Sequence, residues 1–226
     1  MCAFFIKYKI TNTLILLNIL AYFTSAFYSQ DIIDMNTQSL VDLGGLYGPY
    51  TVQDGQWWRL GTAMFLHGGM THLLMNMFSL YLIGRAAEMY FDTKSYLSIY
   101  VFSGLLGGLA SLYMHPHSVG VGASGAIFGV FGALAGFYLA HRGQIEAQSK
   151  AFMKDFAVIM GINMVLGFSI ESIDVSAHVG GLLVGFIGGF LLSLQVKWLK
   201  YYVLMMFVLM GMAMLYLPTQ YAQRLF

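Results

Sequence analysis

The sequence predicts an all-α polytopic membrane protein, and three observations support that prediction. Hydrophobic residues make up 58% of the 226 residues and charged residues only 9%, whereas a soluble domain has roughly 25% charged residues. The apolar residues gather in long stretches, each close to the roughly 20 residues that a helix needs to cross a bilayer. Two stretches carry glycines about four residues apart, which is typical of tightly packed membrane helices. We therefore expect lipid to cover most of the chain.

The predicted spans form a single membrane domain that covers residues 1–226. They lie at about 11–29, 71–91, 95–114, 124–141, 151–169, 177–195 and 199–217. Lys7 and Lys9 precede the first span as they would in a signal peptide, but no small-residue cleavage site follows, so we predict an uncleaved first span. The result is a six-helix core, about 11–195, and a seventh C-terminal helix.

The remaining composition bears on partners and disulfides. The net charge is +1, which provides no basic surface for nucleic acid, and no nucleic-acid partner is expected. Cys2 is the single cysteine of the sequence, so an internal disulfide is excluded.

The segment 30–69 is too polar to span a membrane. It contains four aspartates and the pair Trp57 and Trp58. Tryptophan is favoured at membrane–water interfaces. We predict an ordered loop that lies in the interface.

The basic residues predict the orientation of the chain. With the N-terminus inside, Arg59 and Arg224 are the two basic residues outside. The other nine of the eleven are then cytoplasmic: Lys7, Lys9, Arg85, Lys94, Arg142, Lys150, Lys154, Lys197 and Lys200. Because positive residues are retained inside, we predict a cytoplasmic N-terminus and an extracytoplasmic C-terminus. Loops 30–69, 115–123 and 170–176 then lie outside.

Glycines in the fourth and sixth spans predict a packing seam. They are Gly125, Gly129, Gly132 and Gly136 in the fourth span, and Gly181, Gly185 and Gly189 in the sixth. Small residues at this spacing share one helix face and let two backbones approach closely. If the two faces meet, the outer ends of the spans bring Ser124 close to His178.

Ser124 lies in the uncharged, glycine-rich segment 119–125, where a helix is expected to begin. Free N–H groups at a helix N-terminus favour developing negative charge. Taken alone, such a serine more often caps the helix or packs as a small residue. The segment is not the G-x-S-x-G elbow of soluble hydrolases, because residue 126 is alanine and no strand precedes it.

His178, His72 and Asn76 are the polar side chains that give Ser124 a chemical context. A serine hydroxyl is inert at neutral pH without a base beside it, and histidine is the usual base. His72 and Asn76 are four residues apart and share a helix face. Both can donate hydrogen bonds to an oxyanion. Each could instead make an ordinary polar contact between helices.

The histidines could also belong to a metal site, or His178 could have an acidic partner. A metal site would combine His72 with His67 or His178, but no carboxylate or thiolate is spaced to complete a ligand set, so neither a metal nor a cofactor is predicted. Glu171 or Asp174 could orient the ring of His178. Nothing in the sequence fixes either one near that ring, and both are predicted to be solvated loop charges.

Together these motifs resemble those of the rhomboid intramembrane serine proteases, over about residues 11–195. Residues 122–125 match the family's G-x-S-G, residues 177–185 match A-H-x-x-G-x-x-x-G, and residues 72–76 match H-x-x-x-N. Trp58-Arg59 matches the pair of the first loop, and residues 84–88 match a structural G-x-x-x-E. Five motifs in the family's order are far more specific than any one of them.

The resemblance implies a rhomboid-like six-helix core plus a seventh helix, as in bacterial members. It implies Ser124 as nucleophile, His178 as base, and His72 and Asn76 on the oxyanion side. Phe128 stands where many members have a tyrosine that packs on the catalytic histidine. The implied reaction is cleavage of peptide bonds in transmembrane segments of other proteins, without a cofactor, in a bacterial inner membrane.

Two alternatives to proteolysis stay open at this point. A catalytically inactive rhomboid-like protein would bind transmembrane segments without cutting them, although an intact serine, base and oxyanion pair argue against it. A transporter or channel would need a polar path to the inside, whereas the intramembrane polar residues cluster at one end of the spans.

Overall fold

The computed structural model describes residues 8–144 and 174–223, with Lys154, Val158 and Gly161 between these ranges. The described residues are largely helical and contain no β-strand. The rest of the predicted fifth span, 151–169, lies outside the described residues. Lys7, Lys150, Glu171 and Arg224 lie outside them as well.

Six long helices carry the architecture of the described part. They are α1 (Lys9–Ser29), α4 (Met70–Tyr90), α5 (Thr93–Met114), α6 (Ser124–His141), α7 (Val175–Leu194) and α8 (Leu199–Gln223). Two short helices, α2 (Thr37–Asp42) and α3 (Arg59–Thr62), a π-helical turn (Pro49–Gln53) and a 3-10 turn (Val196–Trp198) complete it. The long helices begin and end within a few residues of the predicted spans, except that α8 continues beyond residue 217.

Within the described residues, five stretches are long and apolar enough to cross a membrane: α1, α5, α6, α7 and Val196–Gln223. α4 has the length, with 21 residues, but not the apolarity of those five. It carries His72, Asn76, Arg85 and Glu88. The prediction of an all-α polytopic membrane protein is confirmed. Of the six long helices that the structure describes, α4 is the most polar.

Glu88 joins α4 to the first turn of α1. The first N–H groups of a helix lack intrahelical acceptors, and the residue before α1 provides no side-chain cap. The Glu88 carboxylate accepts from the N–H groups of Ile10 at 3.2 Å and Thr11 at 2.7 Å. Gly84 lies one turn earlier, and a Cβ there would be 2.8 Å from the Thr11 hydroxyl oxygen. Gly84 therefore leaves room for α1 to approach α4, and Glu88 caps the first turn of α1.

The packing seam between α6 and α7 is present as predicted. A methyl group on Gly181 would overlap the carbonyl oxygen of Gly125, and one on Gly185 would overlap that of Gly129. α5 joins the same centre, because a Cβ on Gly107 would be 2.6 Å from the Ala177 carbonyl oxygen. The three helices thus meet through their backbones.

The segment 30–69 is ordered as predicted, and Arg59 holds it together. The buried guanidinium donates through Nη1 to the carbonyl oxygens of Val41 at 2.6 Å and Gly45 at 2.9 Å. Its Nε donates to the side chain of Gln56 at 2.8 Å. The two short helices and the π-helical turn within this segment were not predicted.

Gly185→Ala should destabilise the protein by about 1–3 kcal/mol, the usual cost of overpacking, because the added methyl group has no space against α6. Gly211→Ala is the matched control on α8, where a Cβ meets nothing within 4 Å. There the same change should stabilise the helix by roughly 0.5–1 kcal/mol. Unfolding of both variants in mixed detergent micelles measures the difference, and equal effects would contradict the seam.

Candidate active site

Ser124 is the first residue of α6. The N-cap position is held by Ala123, and no side chain caps the helix there. The alternative in which the Ser124 hydroxyl caps α6 therefore does not apply. Its backbone N–H lies in the first turn, where N–H groups have no intrahelical acceptor. The side chain is half-buried, so this serine presents both a hydroxyl and a free N–H at one place.

His178 is the partner of the Ser124 hydroxyl. It lies in the first turn of α7, and its Nε2 is 2.8 Å from the Ser124 Oγ. With the hydroxyl donating, Nε2 accepts and the ring proton lies on Nδ1. The glycine seam makes this contact possible, because Gly125 and Gly181 bring the two backbones together within one turn of these residues. The predicted neighbourhood of Ser124 and His178 is present.

Phe128 covers one face of the His178 ring. The two ring centroids are 4.2 Å apart and the ring planes differ by 7°. Phe128 lies one turn after Ser124 on α6, so the same helix that presents the hydroxyl also fixes the imidazole plane. Stacked aromatic pairs contribute about 0.5–1.5 kcal/mol beyond burial, and this contact needs no phenolic hydroxyl.

Nδ1 of His178 is buried and has no hydrogen-bond partner among the described residues. Asp174, one turn earlier, uses its carboxylate differently: it caps α7 by accepting from the N–H of Ala177 at 3.1 Å and from the Ser176 hydroxyl. The prediction that Asp174 is a solvated loop charge is therefore wrong, because a helix N-terminus needs this acceptor. Glu171 lies outside the described residues.

The pKa of the Asp174 carboxyl is lowered overall. Burial raises it, but hydrogen bonds from Ser111, Ser176 and the Ala177 N–H outweigh that effect. The imidazole of His115, 3.9 Å away, also lowers the pKa. The capping carboxylate is thus held in its charged form, which also suits the positive end of the α7 dipole.

His72 and Asn76 lie beside the chain that leads into Ser124. Gly122 has a φ of 121°, which favours glycine. A Cβ on Gly122 would be 2.9 Å from both Cε1 and Nε2 of His72, and 3.9 Å from Nδ2 of Asn76. The predicted oxyanion pair therefore lies against the segment two residues before the serine, and only glycine leaves room for it.

The backbone around His67 fixes the tautomer of His72. The N–H of Gly68 donates to Nδ1 of His72 over 3.5 Å, so the ring proton of a neutral His72 lies on Nε2, the atom beside Gly122. The fully buried ring of His67 packs edge-on against His72, with centroids 5.1 Å apart. Burial lowers the pKa of His67 to about 3, so it is neutral at physiological pH.

The sequence suggests His67 only as a metal ligand. Nothing in the sequence indicates that its ring packs against His72. Among the described residues, no group of three or more histidine, cysteine, aspartate or glutamate side chains is placed to hold a metal ion. What the site offers instead is a hydroxyl bonded to an imidazole, beside two side-chain donors and a helix N-terminus. This arrangement can activate a serine for attack on a carbonyl carbon.

The loop 115–123 is tied to the segment 30–69 by backbone bonds. Leu46 and Gly120 exchange two hydrogen bonds of 2.9 and 2.8 Å, and the N–H of Gly122 donates to the carbonyl oxygen of Ala63 at 2.9 Å. These bonds hold the chain immediately before Ser124. Neither pairing was predicted, since the spacing of glycines does not indicate which segment the loop 115–123 will contact.

Comparison with protein-family models matches residues 54–195 to the Rhomboid domain. The match covers more than half of the 226 residues and includes all four site residues. The chain belongs to the rhomboid family. The resemblance seen in the sequence motifs is therefore confirmed at the level of the family.

Individual relatives agree with that assignment. Over 163 residues the chain is 38% identical to rhomboid protease GluP of Bacillus subtilis, covering 70% of this rhomboid and 30% of GluP. The putative rhomboid protease YdcA of Bacillus subtilis is 37% identical over 143 residues, covering 63% of this chain and 68% of YdcA. RHOMBOID-like protein 6, mitochondrial, of Arabidopsis thaliana is 38% identical over 160 residues, covering 71% and 52%.

This rhomboid spans only part of several of these relatives. It covers 30% to 55% of the length of GluP and of RHOMBOID-like proteins 6, 5, 7 and 2.

Asp174→Ala should lower the free energy of unfolding by about 0.5–2 kcal/mol at neutral pH, because α7 loses its N-cap. Since the folded-state pKa is lowered, the charge of Asp174 stabilises the fold fully above the ordinary carboxyl pKa. That part is lost as pH falls through the lowered value. Unfolding in mixed micelles, measured from neutral pH down to about pH 2, follows this loss.

Asp174→Asn is the matched control, since asparagine also caps helices but carries no charge. It should retain most of the stability at neutral pH and lack the acid-dependent part. The same acid dependence in the parent and in Asp174→Asn would contradict the role given to the charge.

Proposed function

We propose that this rhomboid is an intramembrane serine protease that cleaves peptide bonds in or near transmembrane segments of membrane proteins. The observation that carries the proposal is the 2.8 Å contact between the Ser124 Oγ and Nε2 of His178. A serine hydroxyl bonded to a histidine is the arrangement that nucleophilic catalysis needs. Two relatives whose names include rhomboid protease support the same conclusion.

In the first half-reaction, the Ser124 Oγ attacks the carbonyl carbon of the scissile peptide while Nε2 of His178 takes the hydroxyl proton. A carbon–oxygen bond forms and a tetrahedral oxyanion develops. The carbon–nitrogen bond then breaks, and His178 delivers the proton to the leaving amine. In the second half-reaction, water attacks the acyl-enzyme, His178 takes the water proton, and Ser124 recovers its hydrogen as the new carboxyl group leaves.

The oxyanion requires donors that are in place before it forms. The Ser124 N–H at the start of α6 is one candidate, and the positive end of that helix reinforces it. The Nε2–H of His72, whose tautomer Gly68 fixes, is a second. The third is Nδ2 of Asn76, which also donates to the His72 carbonyl oxygen at 3.0 Å. All three lie around the turn at Gly122.

The base would act as a dyad with Ser124, without a carboxylate partner. Nδ1 of His178 meets no acceptor among the described residues, and Asp174 is engaged in capping α7. Orientation of the ring therefore depends on Phe128, which stacks on it, and on the backbone contact between α6 and α7.

The substrates we propose are transmembrane segments of other proteins, met in the lipid bilayer. A backbone already bonded as a helix cannot enter the site, so a target should unwind locally. Glycine and other helix-weakening residues near the cut favour that step. The reaction also consumes water, which the bilayer lacks, and the polar residues of the site would line a cavity open to one side.

We place this protease in a bacterial inner membrane, with the N-terminus in the cytoplasm and the C-terminus outside. The distribution of lysine and arginine supports that orientation. The site at the starts of α4, α6 and α7 would then open to the extracytoplasmic side. Residues 1–226 would form one membrane domain, with a catalytic core at about 11–195 and α8 added to it.

The purified protein should cleave a transmembrane substrate in detergent or liposomes, and Ser124→Ala and His178→Ala should reduce cleavage to background. Gel analysis of the fragments against time gives the rate. Ser193→Ala, a serine elsewhere on α7, and His117→Ala, an exposed loop histidine, are the matched controls and should cleave like the parent.

If parent and Ser124→Ala cut equally, the protease assignment is wrong. If neither cuts but both bind the transmembrane segment, the chain is the inactive binding protein instead.

Asn76→Ala should lower kcat by about 10²–10³-fold, or 2.7–4 kcal/mol, the usual effect of removing one oxyanion donor. KM should change little, because the donor acts on charge that develops in the transition state. Asn18→Ala is the matched control. Asn18 is also buried and also donates to the carbonyl oxygen four residues earlier, but on α1. If Asn76→Ala cleaves at the parental rate, Asn76 is not one of the oxyanion donors.

A further inference from the structure

Two side chains near the C-terminal end of α8 are buried, although most of this helix is exposed. Only 17% of the residues in its most apolar stretch are buried, and Leu215 and Tyr216 are 79% and 51% exposed. Leu217 and Tyr221, which lie further along the helix, are 2% and 4% exposed. The buried side chains of α8 fall into two groups: Tyr202 and Met206 near its start belong to the main core, whereas Leu217 and Tyr221 have a separate partner within the protein.

That partner is a small hydrophobic cluster that lies apart from the main core. We call it the α8 cluster; it consists of Leu46, Val52, Leu60, Ala63, Leu109, Leu112, Leu217 and Tyr221. Three elements contribute to it: α8, the last turns of α5, and the segment 30–69. Burial of large apolar side chains from all three means that none can shift without opening the others to solvent or lipid.

Tyr221 supplies the polar contact of the α8 cluster. Its hydroxyl donates to the carbonyl oxygen of Leu112 at 2.8 Å. Leu112 lies in the last turn of α5, where carbonyl groups lack intrahelical donors. The same hydroxyl lies beside Gly48, where a methyl group would overlap both the Tyr221 hydroxyl and the carbonyl oxygen of Pro116. Tyr221 thus joins the end of α5, the segment 30–69 and the loop 115–123.

The α8 cluster is connected to the nucleophile by two short backbone links. Leu46 of the cluster exchanges two hydrogen bonds with Gly120, and Ala63 of the cluster accepts from the N–H of Gly122. Gly120 and Gly122 lie four and two residues before Ser124. Buried packing at the end of α8 is therefore continuous with the backbone that sets the position of Ser124.

We infer that Leu217 and Tyr221 of α8 are positioning residues for the Ser124 loop, an inference that rests on the proposed function of Ser124. Neither residue touches the reacting atoms. They hold the α8 cluster closed, the cluster holds Leu46 and Ala63, and these hold the loop 115–123 by its backbone. A nucleophile displaced by about 1 Å can lose on the order of 10²-fold in rate, so modest loosening at α8 has a kinetic consequence.

The test compares buried with exposed residues of the same type within residues 215–221 of α8. Tyr221→Phe and Leu217→Ala remove the hydroxyl and the packing, and Tyr216→Phe and Leu215→Ala are their matched controls. Two quantities are measured on the full chain in detergent. One is amide hydrogen exchange of peptides that cover 115–123, and the other is kcat and KM for a transmembrane substrate.

We expect faster exchange at Gly120 and Gly122 in both buried variants, by up to about tenfold for Tyr221→Phe, which loses one hydrogen bond. We expect kcat to fall by roughly 5–50-fold with KM unchanged, since positioning and not binding is impaired. The controls should match the parent in both quantities. A general loss of stability would instead speed exchange across all helices, including α1 and α4, and would overturn the inference.

The inference also fails if exchange in 115–123 and kcat stay at parental values in both buried variants. Its failure is distinguishable from failure of the proposed function. A parent that does not cleave at all shows that the proposed function is wrong, and the exchange data then decide by themselves whether α8 holds the loop.

Discussion

The backbone contact between α6 and α7 is the constraint on which the site depends. Gly181 and Gly185 lie so close to Gly125 and Gly129 that a Cβ on either residue of α7 would overlap the backbone of α6. The helix axes therefore approach as far as two backbones allow, and residues at the ends of the seam come within hydrogen-bond reach. In lipid, where apolar side chains gain little by leaving their solvent, such close packing is a main source of helix association. The same feature thus stabilises the bundle and sets the distance from Ser124 to His178.

The site combines few charges with many fixed backbone contacts. Asp174, the acid nearest in sequence to His178 among the described residues, is used to begin α7 and leaves Nδ1 without an acceptor. Phe128 then orients the ring by stacking. In a region of low dielectric constant, a second buried charge would be costly unless it were fully paired. The proposed dyad of Ser124 and His178, fixed by packing, would avoid that cost, because both side chains are neutral before the proposed reaction.

Much of this architecture follows from the sequence, and the exceptions share a physical cause. Span length and glycine spacing depend on local pattern, so the long helices and the pairing of Ser124 with His178 were predictable. The cap by Asp174 was also accessible, since an acidic residue before an apolar run is an ordinary helix start. The links of Leu46 to Gly120 and of Arg59 to Val41 were not, because backbone groups carry no sequence identity. The fit of His67 against His72 likewise depends on tertiary contact.

The cap that Glu88 places on α1 has a consequence for how the chain is made. The carboxylate that accepts from the N–H groups of Ile10 and Thr11 lies 78 and 77 residues later in the chain. At a synthesis rate of roughly 5–20 residues per second, that interval lasts about 4–16 s. During it, the first turn of α1 lacks this side-chain acceptor. Synthesis of α4 supplies that acceptor, so α1 gains its cap only when α4 packs against it.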